Sequence, residues 1–176
     1  MPKASERMSA SSGCIDPVLV ARAQRSLRSL ARQGLTAVTA ESCTAGLIAA
    51  ALSQAHGAAA HLHGSFVTYT KAHKTMALGV SAALLQREGA VNAKVVEALA
   101  RGALARSPAD IALAVSGVLG PEEDEDGNPV GLIYYACCRR GGICRIERRK
   151  YPRWEAERLR RAVVLHGLAL LQREGR

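Results

Sequence analysis

Thr39-Ala40-Glu41-Ser42-Cys43-Thr44-Ala45-Gly46 is the stretch whose reading decides the fold. Leu35, Ala37 and Val38 before it read as a short buried strand. Leu47 to Leu52 after it read as helix, which the pattern starts near Thr44 and runs to Gln54. The polar residues then lie on a tight strand-to-helix turn. Backbone N–H groups and the positive end of a helix are free there to hold an anion or oxyanion. Ser42 sits like a nucleophile at the end of a rigid strand. The plainer alternative is that Ser42 or Thr44 caps the helix.

Outward from this turn, elements alternate. Asp16-Pro17 opens a first helix, with Asp16 as N-cap and Pro17 in the first turn, and Gly34 ends it. His61 to Tyr69 reads as a second strand. A polar turn, Thr70 to Lys74, leads into a helical piece closed by Gly79. Ser81 and Asn92 cap two further helices. Asp110 to Ser116 is a near-continuous apolar run, as expected of a central strand buried on both faces. Leu132–Cys138 and Ile143–Tyr151 form a predicted hairpin across Arg140-Gly141-Gly142, and a last helix starts near Trp154. The expected fold is α/β, a layered mixed β-sheet flanked by helices, in one domain over residues 15–176. Residues 1–14 read as a polar disordered tail.

Composition narrows the function classes. The 176 residues carry a net charge of +9, and aromatics make up 3%. The basic charge lies in the terminal helices and from Arg139 to Arg161. With few aromatics for base stacking, nucleic acid is not the expected partner, and a charged edge strand explains the cluster. A nucleic-acid binder on that surface stays a third reading. No apolar run nears the ~20 residues of a membrane span. The five cysteines are odd in number and lack C-x-x-C spacing, so they read as reduced and cytoplasmic, with Cys137 and Cys138 on opposite faces of one strand.

In a mostly parallel sheet, strand C-terminal ends collect ligand sites. Three loops end there: 41–46, 69–74 and 117–131. They bring together Ser42, Tyr69, Lys74 and Gly-rich turns. Serine needs a base, and a lysine serves if burial keeps its amine neutral. Tyrosine relays a proton or positions the hydroxyl. Such a set suffices to hydrolyse an amide, with turn amides as an oxyanion hole. His61-x-His63, with His73, Asp110 or Glu41, is a weak metal alternative, and Ser42–His73 with a carboxylate is another. His166 reads as a satisfied core histidine. No metal and no cofactor is expected, and no nucleotide-triphosphate or dinucleotide motif occurs.

These loops resemble the CinA C-terminal domain family. The likeness rests on the 39–46 stretch, Val67-Thr68-Tyr69-Thr70 with Lys74, Gly89-Ala90-Val91, Ala114 to Pro121, and Pro129-Val130-Gly131. It covers about residues 16–173. The resemblance implies deamidation of nicotinamide mononucleotide to nicotinate mononucleotide and ammonia. Ser42 would be the nucleophile, Lys74 its base and Tyr69 the helper. Glu41, Thr44, Ala45, Gly46, Lys71, Gly117 and Gly120 would bind the small-molecule nucleotide substrate. It also implies a homo-oligomer and the single-domain form.

The chain departs from the family pattern in three places. Ala45 stands where the family usually has glycine. Tyr69-Thr70-Lys71-Ala72-His73-Lys74 replaces Tyr-Ser-Asn-Glu-Ala-Lys, so Lys71 is a second candidate amine. Glu122–Asp126 replaces a glycine-rich loop, and Asn128 replaces a lysine. Carboxylates near a substrate phosphate repel it by about 1 kcal/mol per close pair. A drifted or inactive member that binds a nucleotide or a partner protein is therefore the alternative reading.

Overall fold

The structure is a computed structural model and describes residues 15–176. The expected disordered tail lies outside the described residues. Five strands form one sheet in the order β2-β1-β3-β4-β5. β1 (Ala37–Glu41) pairs in parallel with β2 (Leu62–Val67) and β3 (Ile111–Gly117). β4 (Leu132–Arg139) and β5 (Cys144–Lys150) add antiparallel strands beyond β3. This is the mixed, helix-flanked sheet expected from the sequence.

Side-chain alternation builds a core on each face. Ile111, Leu113 and Val115 of β3 point into one layer with α1 (Pro17–Arg32), α2 (Leu47–Ser53) and α7 (Ala156–Glu174). Ala112 and Ala114 point into the other, with Val38, Ala40 and Ala136. These small residues let α6 (Ala93–Ala105) lie close to the sheet, beside α4 (Lys71–Leu78) and α5 (Ala82–Glu88). α4 and α6 touch where Gly102 meets the Leu78 carbonyl. A Cβ at Gly102 would stand 2.2 Å from that oxygen.

The predicted caps form. Asp16 accepts from Val18 N, Ser81 from Leu84 N, and Asn92 from Val95 N. His166 is half-buried, with its Nε2 2.7 Å from Glu147. β5 is an exposed edge strand carrying Arg145, Arg148, Arg149 and Lys150, which guards it against pairing. Among the described residues no helix is long and apolar enough to cross a membrane.

Four local expectations need correction. His61 closes a short helix, α3 (Ala58–His61), and its ring meets the Leu35 carbonyl, so His61 and His63 do not share a strand face. α4 begins at Lys71 rather than after Lys74, because Thr70 caps it by accepting from His73 N. α2 begins at Leu47, not Thr44, and neither Ser42 nor Thr44 caps it. Cys138 and Cys144 are joined in a disulfide, with Cα atoms 3.9 Å apart. The hairpin register sets them directly opposite each other, so cysteine spacing alone did not show the pair. Cys43 and Cys137 are free and buried, and Cys137 faces the other core from Cys138.

Candidate active site

The C-terminal ends of β1, β2 and β3 open into a cleft of about 710 Å³. Ser42 follows β1, and its own N–H bonds the Val115 carbonyl, so the strand ladder fixes it. The turn after Ser42 is held from below by Glu41. This side chain is fully buried, and its carboxylate accepts from Thr39 Oγ1, Thr44 Oγ1 and the N–H groups of Gly46, Ile48 and Ala49. A glutamate from the preceding strand thus caps α2, where a serine or threonine was expected. The negative charge sits at the positive end of the helix. Those amides are therefore closed to a substrate. Among the described residues, the Cys43 and Thr44 N–H groups take no acceptor.

Lys74 comes from the first turns of α4 and is 1% exposed. Its Nζ lies 2.9 Å from Ser42 Oγ, 2.8 Å from the Thr68 carbonyl and 3.1 Å from the Tyr69 carbonyl. Burial lowers its pKa to about 8; the charges of Cys43 and Glu125 work against that fall and Lys71 adds to it. The geometry fixes what the neutral amine does. Carbonyls only accept, so its two N–H groups must go to Thr68 and Tyr69. The lone pair then faces Ser42, in the place a general base occupies.

The remaining expected site residues divide. Lys71 does not reach Ser42. Its Nζ lies 2.5 Å from Asp126 and 3.0 Å from Glu125, and these bonds raise its pKa, Asp126 more than Glu125. Tyr69 lines the cleft, but its side chain is 68% exposed, and no hydrogen bond of its hydroxyl is found among the described residues. Its contact with Lys74 is through the backbone carbonyl, not a phenolic relay. Gly117 and Gly120 line the cleft with backbone. Glu41 and Thr44 lie beneath the site, and Thr44 is taken up by Glu41. Ala45 is exposed and adopts φ +51, a left-handed conformation that costs a non-glycine residue about 1 kcal/mol. Gly46 follows it at φ +93.

Sequence reasoning gave no role to five residues. The Thr68 carbonyl orients Lys74, although its strand-end position gave no sign of it. Ser116 lines the cleft and donates to the Ala90 carbonyl at 2.8 Å, tying β3 to the segment before α6. Arg160 of α7 lines the cleft and makes no ion pair among the described residues. Asp126 ties the acidic loop down, while Asp124 folds that loop by accepting from Asp126 N and Asn128 N. Ser116 and Asp126 act across 26 and 36 residues, so no local pattern marked them; Thr68 and Asp124 act within six residues. Beside Ser42, burial pushes the Cys43 thiol up to about 12 and leaves it inert.

Comparisons with known proteins bear on the family and the fold. The profile of the CinA C-terminal domain matches residues 20–174. A Pseudomonas putida protein named nicotinamide-nucleotide amidohydrolase PncC is 42% identical over 146 residues, covering 81% of this chain and 89% of that one. A CinA-like protein of Akkermansia muciniphila is 48% identical over 124 residues, 70% of this chain but 30% of its own length. The chain spans about a third or less of the CinA-like relatives of that kind. The crystal structure of competence/damage inducible protein CihA from Agrobacterium tumefaciens superposes with a TM-score of 0.84 at 36% identity, over 93% of this chain and 97% of that one. A CinA-superfamily protein of Klebsiella pneumoniae gives 0.85 at 33% identity, over 89% and 97%. With sequence profile, relatives and fold in agreement over nearly the whole described chain, the protein belongs to the CinA C-terminal domain family.

Proposed function

We propose that this protein is an amidohydrolase that converts nicotinamide mononucleotide to nicotinate mononucleotide and ammonia, with Ser42 as nucleophile and Lys74 as base. The observation that carries the reading is the 2.9 Å contact between Ser42 Oγ and a buried lysine whose other two contacts are carbonyls. The name and the near full-length match of the Pseudomonas putida relative support the substrate.

The geometry supports a two-stage reaction. Neutral Lys74 takes the Ser42 proton as Oγ attacks the carboxamide carbon. The oxyanion forms at the turn, where the Cys43 and Thr44 N–H groups are open. Lys74 then gives its proton to the nitrogen, the C–N bond breaks and ammonia leaves. A water, deprotonated by the same amine, attacks the acyl ester; the proton returns to Ser42 and the acid is released. Tyr69 walls the cleft mouth, and Lys71 acts through the acidic loop. Arg160, in the cleft lining, is the cation suited to the substrate phosphate.

The test is ammonia release from nicotinamide mononucleotide by wild type and Ser42→Ala, with mass spectrometry of acid-quenched enzyme. Wild-type turnover, an acyl adduct on Ser42 and a silent variant are expected. No wild-type turnover, or equal rates, would sink the proposal.

A further inference from the structure

The acidic loop is not loose over the cleft. Asp126 sits on the Gly89–Ala90 backbone, accepting from Ala90 N at 3.0 Å, and receives Lys71 Nζ at 2.5 Å. Gly89 makes the seat: at φ +73, a Cβ there would lie 2.6 Å from Asp126 Oδ2. One carboxylate therefore joins three elements of the cleft rim, namely the loop, the start of α4 and the segment before α6. Lys71 stands one turn from Lys74 on α4, and its partners Asp126 and Glu125 line the same cleft.

We propose that the Lys71–Asp126 clasp is a positioning device, which holds the acidic loop against the cleft rim and balances the charge around the Ser42–Lys74 pair. It rests on the catalytic reading only for its consequence in turnover. Cys43 from the turn, Glu125 of the acidic loop and Lys71 on its own helix act on Lys74 directly; Tyr69 from the β2 end, the other carboxylates of Glu122–Asp126 and Arg160 of α7 line the same cleft. Of these, Lys71 and Asp126 oppose each other at the shortest distance. Burial works against the Asp126 charge, but the Lys71 bond and the Ala90 N–H hold its carboxyl below the usual range, so the clasp is ionised at neutral pH. Removing the cation makes the surroundings of Lys74 more negative by one charge; removing the anion makes them less negative by one.

The two single variants must then move Lys74 in opposite directions. The chain has five lysines, so Lys74 can be followed by 13C NMR at Cε without any turnover. Lys71→Gln raises the Lys74 midpoint by about half a pH unit, and Asp126→Asn lowers it by about as much. The swapped pair, Lys71→Asp with Asp126→Lys, restores it and serves if a single variant does not fold. Asp126→Ala speeds hydrogen exchange at Ala90 N–H by about tenfold. Shifts of the same sign, no shift, or unchanged Ala90 exchange would overturn the clasp. Opposite shifts in a wild type that hydrolyses no amide would keep the clasp and reject the catalytic reading.

Discussion

If Lys74 is the base, acid must silence the enzyme in a calculable way. Lys74 deprotonates at about 8, against an ordinary value of 10.5, because burial penalises its ammonium form. The neutral fraction is then about half at pH 8, about a tenth at pH 7 and about a hundredth at pH 6. kcat/KM for ammonia release should rise about tenfold from pH 6 to 7 and level off above pH 8 to 9. Stability shares the same cause. Between pH 8 and 10.5 the unfolded chain holds a proton on this lysine that the folded chain has lost, so stability climbs with pH. The full climb is worth about 3 kcal/mol, absent below pH 8 and complete near 10.5, before other groups are counted. Lys74→Met removes the titrating group and should flatten that part of the urea-unfolding profile while abolishing turnover. Lys74→Arg, charged at every accessible pH, should also be inactive. A rate that is flat between pH 6 and 8, or an acid limb near 6.5 that survives in Lys74→Met, would refute the reasoning.

Other substitutions probe the turn that carries Ser42. Glu41→Gln keeps the shape but turns an NH2 toward either the Gly46 and Ile48 amides or the Ala49 amide, so it should cost about 2 to 3 kcal/mol in urea unfolding and speed exchange at those amides; a loss under about 0.5 kcal/mol would mean the carboxylate does not hold the turn. Ala45→Gly relieves the φ +51 strain and should leave stability equal or raise it by up to about 1 kcal/mol, whereas Ala45→Val should lower it. Cys43 and Cys137, both buried with thiol pKa values pushed up, should resist iodoacetamide in the native protein and react once it is unfolded. Rapid native labelling of Cys43 would show the turn to be more open than described.

Much of the architecture was legible in the chain itself. Asp16, Ser81 and Asn92 cap helices because a side-chain oxygen needs only the amides two or three residues on. β3 was legible because burial on both faces demands an unbroken apolar run. The position of Ser42 at a strand end comes from the same local logic. Its partner was harder to read. Lys71 and Lys74 stand one helical turn apart with similar surroundings in sequence, and the start of α4 at Lys71 sets which one reaches inward.

Sequence by itself determined the layers, the caps and the serine turn, because each depends on neighbours a few residues away. Tertiary structure alone decided the rest. Glu41, a polar residue in a turn by sequence, is buried because five donors converge on it from the strand and helix around it. Cys138 and Cys144 meet through hairpin register, and Asp126 meets Ala90 across 36 residues. Lys74 became a candidate base only when folding took its amine out of water and set it against Ser42, since desolvation is a property of the packed molecule and not of the residue.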